Sequence, residues 1–126
     1  MDQVTVLLIE ESAAEAALMA AALALRPGVR VLDAPDAREA AVRLESSSSP
    51  VVLAFAGSAA LMDPPMVLLR RLEGEGIPVV GVAAGLSEAE KRRALEAGVR
   101  EVHDRPAAWR PYAELIESVA TRFIRP

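Results

Sequence analysis

The chain reads as an α/β protein built on a parallel sheet, and three observations predict it. Short apolar runs rich in β-branched residues alternate with longer helical stretches five times along the 126 residues, the pattern of parallel strands joined by crossover helices. The run Val51-Val-Leu-Ala-Phe55 is apolar throughout, as a buried strand is. Ser12-Ala-Ala-Glu15 and Ser87-Glu-Ala-Glu90 both carry the capping-box spacing, in which two side chains satisfy each other's backbone N–H groups at a helix start.

Val4 to Ile9 is the first strand, and the Ser12 box opens a helix over Ala13 to Leu25 that Arg26, Pro27 and Gly28 stop. Val29 to Asp33 is a second short strand. Pro35 and the N-cap candidate Asp36 begin the next helix, with Glu39 three residues on. Ser46 to Ser49 with Pro50 form a polar connector. After the third strand, Leu61 to Pro65 is read as an irregular loop whose paired prolines set the start of a helix ending near Leu72. Gly74 and Gly76 then release the chain into a fourth strand, Ile77 to Ala83. The Ser87 box opens a helix that Gly98 terminates, and Val99 to His103 is the fifth strand. A final helix runs from about Pro111 to Phe123, with Ile116, Val119, Ala120 and Phe123 spaced along one buried face. No repeat and no second domain is visible, so residues 1–126 are read as a single domain.

Composition excludes several classes. With 14 basic against 18 acidic residues and no dense Lys/Arg stripe, the chain lacks the electrostatic footprint of direct nucleic-acid binding. Arg70-Arg71 and Lys91-Arg92-Arg93 are short clusters of the kind found on solvated helix faces. The absence of Cys rules out disulfides and thiolate metal sites. No apolar span reaches transmembrane length and no leader pattern opens the chain, so a cytoplasmic, non-membrane protein is expected. Gly-x-Gly-x-x-Gly after the first strand, Gly-x-x-x-x-Gly-Lys and Gly-x-Ser-x-Gly are all missing, which removes dinucleotide, nucleotide and hydrolase readings.

Chemistry in an open parallel sheet belongs at the carboxyl ends of the strands. Here those tips carry Glu10 and Glu11 after the first strand, Ala56 and Gly57 after the third, Ala83 at the end of the fourth, and Asp104-Arg-Pro106 after the fifth. Glu10 and Glu11 read either as solvated acids or as remnants of a cation site. Gly81 and Gly85 admit a ligand near this crevice or simply end a strand. His103, the one histidine, is read as a packed or edge residue and not as a phosphorelay donor. Trp109 and Tyr112 either anchor a partner or cap the core.

The order of elements, the acidic pair Glu10-Glu11, the segment Leu32-Asp-Ala-Pro-Asp-Ala-Arg-Glu-Ala-Ala41, the segment Ala94-Leu-Glu-Ala-Gly98, and Asp104-Arg-Pro106 together make the chain resemble the receiver domain of two-component response regulators, from Val4 to about Ile124. The resemblance implies a doubly wound (βα)5, flavodoxin-like fold with a five-stranded parallel sheet in the order 2-1-3-4-5. It implies too that the family's phosphoacceptor aspartate falls on Ala56, within one residue, its switch Ser/Thr on Ala83 and its lysine on Arg105. An alanine methyl cannot form an acyl phosphate, so no catalytic residue and no enzyme activity are expected. Mg²⁺ and other cofactors are not expected either, because the third carboxylate is missing. Arg105 is expected to pair with Glu10 or Glu11 in a degenerate acidic pocket, locking one conformation.

The resemblance further implies an interaction face on the fourth helix, fifth strand and fifth helix, drawing here on Lys91, Arg92, Leu95, Glu101, Trp109 and Tyr112. The functional expectation is an atypical, phosphorylation-independent receiver that docks on a protein partner or dimerises. The alternative is a small-ligand or ion sensor using the emptied site around Glu10, Ala56, Ala83 and Arg105. Arg122-Phe-Ile-Arg-Pro126 stands where a receiver gives way to a linker, so a C-terminal output domain beyond Pro126 is compatible with the resemblance.

Overall fold

A computed structural model describes residues 3–124. Arg125 and Pro126, the end of the segment read as leading towards a linker, lie outside the described residues, as do Met1 and Asp2. The strands are β1 (Val4–Ile9), β2 (Val29–Ala34), β3 (Val51–Ala56), β4 (Val79–Ala83) and β5 (Glu101–Asp104). They form one parallel sheet in the order β2-β1-β3-β4-β5, so the expected doubly wound topology holds. Among the described residues no helix is long and apolar enough to cross a membrane.

Alternation along the buried strands creates two cores. Val6, Leu8, Leu53, Phe55, Val80 and Val82 face α1 (Ala13–Leu23) and α6 (Trp109–Phe123), meeting Met19, Leu23, Ile116 and Val119. Leu7, Ile9, Ala54, Ala56, Val79 and Ala83 face the other way. They pack under α2 (Ala37–Ser46), α3 (Ser58–Met62), α4 (Met66–Gly74) and α5 (Glu88–Glu96). The sheet is thus covered on both sides, which is why its central strands are apolar apart from Thr5.

Helix starts follow the caps. Asp36 accepts the Glu39 N–H at 2.9 Å, and Ser87 and Glu90 form the full reciprocal box, at 3.1 and 2.8 Å. At Ser12 only half the expected box forms: its hydroxyl accepts the Glu15 N–H at 3.2 Å, but the Ser12 N–H donates to Glu10 at 3.0 Å. Glu15 is released for another partner.

Helix ends move two strand boundaries. Ile77 N–H donates to Leu72 O at 2.9 Å beyond Gly76 (φ 73°), and Val99 N–H donates to Ala94 O at 3.1 Å beyond Gly98 (φ 114°). Each is a left-handed glycine exit followed by a buried apolar residue that closes the helix end. Ile77 and Val99 are therefore helix-closing residues, and β4 and β5 begin two residues later than their apolar pattern predicts. The final helix starts at Trp109, two residues before Pro111, whose missing N–H costs nothing in a first turn. Helix α1 stops at Leu23 because the Leu25 and Arg26 N–H groups turn to carbonyls three residues back.

The expected loop over Leu61 to Pro65 is corrected in part: residues 58–62 form the short helix α3, and only 63–65 are irregular. Leu61 is the cause. It is buried against Gly81, where a side chain's Cβ would stand 2.7 Å from a Leu61 methyl. The serine connector also does more than turn the chain, since the Ser49 hydroxyl bonds that of the fully buried Thr5.

Candidate functional site at the strand tips

The sheet register places Ile9 beside Ala56, and the Gly57 N–H donates to Ile9 O at 2.9 Å. The Glu10 side chain folds across this point. A Cβ built on Gly57 would lie 2.0 Å from Glu10 Oε1, so the carboxylate occupies the space a side chain at the β3 tip would need. The Ser12 N–H holds it there at 3.0 Å. Burial raises the Glu10 pKa above its ordinary value; the Ser12 hydrogen bond opposes that rise and the charges of Glu15 and Glu11 add to it.

Arg105 does not pair with Glu10 or Glu11. Its Nε donates to Glu15 Oε2 at 2.6 Å, from a half-turned-in position only 21% exposed. The geometry follows from the cap at Ser12: with Glu10 satisfying the Ser12 N–H, the Glu15 carboxylate turns to the guanidinium. One Arg105 nitrogen also donates to Pro106 O at 3.0 Å, and the group sits 5.3 Å above the Tyr112 ring. Its backbone N–H donates to Ala83 O at 3.0 Å. Around this clamp Tyr112 is pushed up to about 12, by burial first and then by the Glu15 charge.

Ala56 and Ala83 are buried in the second core and present only methyl groups. Glu11, with Asp36 and Asp63, lines a cavity of about 160 Å³ that reaches Gly57 at the β3 tip and is bounded by Pro35, Pro65 and Ala60. Among the described residues no group of three or more His, Cys, Asp or Glu side chains is placed to hold a metal ion.

The residues expected on the interaction face separate. Lys91 spans from α5 to Asp104 of β5 at 3.0 Å and also reaches Glu88 at 3.6 Å, and the Asp104 bond raises its pKa. Glu101 is held by Arg122 of α6 and by His103 at 2.7 Å, which brings its pKa down to about 2, Arg122 first. His103 is thus an edge-strand residue in a charge network. Arg92 and Leu95 are exposed on α5. Tyr112 is a correction: it is 3% exposed and belongs to the first core, with Trp109 tilted against it at 6.1 Å. Trp109 itself lies with Leu25, on the α1 side of α6.

Glu15 is the site residue that sequence reasoning missed, and the contact of Gly57 with Glu10 is the feature it missed at a position it had placed. Glu15 was accounted for by its capping spacing, and its partner lies 90 residues away. The signal at Gly57 was its place directly after the β3 tip.

No protein-family model matches the chain, and no curated protein matches it. Solved structures do. The phosphorylated cyanobacterial phytochrome response regulator RcpA superposes with a TM-score of 0.80 at 16% identity, over 98% of this chain and 95% of that one. The Mn(2+)-bound form of response regulator Rcp1 gives 0.72 at 16%, over 97% and 96%. An orphan response regulator of H. pylori gives 0.70 at 15%, over 91% and 94%. At these identities the likeness is one of fold, and the fold is that of response-regulator receiver domains.

Proposed function

We propose that the chain is a phosphorylation-independent receiver-like domain, not an enzyme, that signals in the cytoplasm by docking on a protein partner or by dimerising. The observation that carries this reading is the Glu10 carboxylate lying in the space over Gly57. An acyl phosphate needs a carboxylate at the tip of β3, and the tip offers a methyl, a glycine and an occupied space. The donor set does not fit a divalent cation either: Glu10 is tied to Ser12, Glu11 lines the neighbouring cavity with Asp36 and Asp63, and among the described residues no three such carboxylates are placed to hold a metal ion. The Arg105–Glu15 pair fixes internally what a phosphate-linked network would otherwise switch. One structural neighbour is itself described as an orphan response regulator, and an output domain beyond Pro126 accords with this role.

The test is an amide NMR spectrum with Mg²⁺, before and after beryllofluoride, which mimics an aspartyl phosphate. Unchanged peaks are expected. Shifts clustered at Glu10, Glu11 and Ala56 would overturn the reading and favour a second one, a small-ligand or ion sensor. The cavity of about 160 Å³ beside Glu11 is the observation that favours that alternative.

A further inference from the structure

We propose that a second copy of this chain docks in the groove between α6 and the end of α1, the two α6 helices packing antiparallel about a two-fold axis. The inference rests on the interaction-module reading and names its partner and surface. The groove is open, encloses about 670 Å³, and is lined by Leu25, Trp109, Arg110, Ala113, Glu114 and Glu117. Leu25 is 69% exposed and Trp109 46%. A large aliphatic and an indole sharing one depression supply the apolar anchors on which association surfaces depend.

Charge selects the occupant. Arg110 stands at the Trp109 end of the groove, with Glu114 and Glu117 one and two turns further along α6. Among the described residues neither Arg110 nor Glu114 makes an ion pair. Arg110 also sits in a first turn that has no acidic residue and no side-chain cap, where the helix dipole disfavours a cation. No ion pair within the described residues offsets that cost.

Antiparallel docking does. It brings each Arg110 against Glu114 of the second copy, next to a Glu117 already held by Arg26 at 3.1 Å, and each Trp109 against the second copy's Leu25. Ala113 lies midway and lets the helix axes approach closely. A patch with, among the described residues, an anchor and an unpaired cation towards one end and an anchor and the unpaired Glu114 carboxylate towards the other is self-complementary, as two-fold pairing requires.

The experiment is sedimentation velocity on the full chain across micromolar to millimolar concentrations. A monomer–dimer equilibrium is expected, weakened at least about tenfold by Trp109→Ala and by Arg110→Glu. Adding Glu114→Arg to Arg110→Glu restores association, and Leu95→Arg on α5 leaves it unchanged. These positions are solvent-exposed, and circular dichroism checks that each variant folds. A dimer that survives Trp109→Ala and Arg110→Glu but is lost with Leu95→Arg overturns the groove while leaving the docking reading intact. A chain monomeric throughout overturns the second copy as partner, and the beryllofluoride spectrum then decides separately whether the phosphorylation-independent reading stands.

Discussion

Gly57 has φ −91° and ψ −172°, a backbone conformation open to any residue, so its missing side chain is a matter of space. The Glu10 carboxylate fills that space, and a methyl group there must displace it from the Ser12 N–H. Gly57→Ala is therefore expected to lower stability by about 1 kcal/mol, the worth of one such hydrogen bond. Urea denaturation of Gly57→Ala, Glu10→Ala and the double variant checks this. The effects are expected to be non-additive, with the second substitution adding little to Glu10→Ala. Simple additivity would mean that the two positions are not coupled. Glu10 also has a sign with pH: its folded pKa is raised, so its protonated form favours folding, and its contribution weakens as pH rises beyond the ordinary carboxylate range.

Strand β5 depends on its charge network more than on burial, because every residue from Glu101 to His103 is only partly covered and Asp104 is exposed. Glu101 is the hub, bound by Arg122 from α6 and by His103. Its folded pKa, about 2, lies below the ordinary 4.5. Its stabilisation is thus complete above about pH 4.5 and is lost as pH falls through about 2. Solvent screening of the half-exposed Arg122 limits that contribution to about 1 kcal/mol. Arg122→Met is expected to lose this amount at neutral pH, and the gap from the parent chain should close as pH falls. A gap constant down to pH 2 would show that the loss is one of packing. The sequence made the elements legible wherever a local signal decides them: the Asp36 cap and the Ser87 box stand as read. It misled at Ile77 and Val99, because an apolar residue after a glycine closes a helix as readily as it opens a strand. It also hid α3, since the Pro64-Pro65 signal concealed a helix fixed by the distant contact of Leu61 with Gly81.

Across the whole molecule, the alternation of apolar runs with helical stretches was enough to foresee a parallel sheet with crossover helices, while the 2-1-3-4-5 order and the doubly wound form came from the family resemblance. The partner of Arg105 was not legible, because local spacing cannot join residues 90 apart. That contact matters most at this scale. Arg105 ties the first turn of α1 through Glu15, the tip of β4 through Ala83 O, and the start of α6 through Tyr112. Three elements that have no sequence adjacency therefore meet at one residue, α1 and α6 through its side chain and β4 through its backbone N–H. If the side chain acts as a lock, Arg105→Ala should speed amide exchange together in the first turns of α1 and α6, and around Ala83 only as far as the loosened loop after β5 weakens the backbone bond to Ala83 O. The expected increase is about tenfold, the equivalent of about 1.4 kcal/mol of local opening. Arg105→Lys is expected to recover only part of the protection, since an ammonium keeps the charge opposite Glu15 but not the planar stacking over Tyr112. Faster exchange confined to the loop after β5 would mean that the three elements are held independently, and that the tips of the sheet retain the freedom to switch.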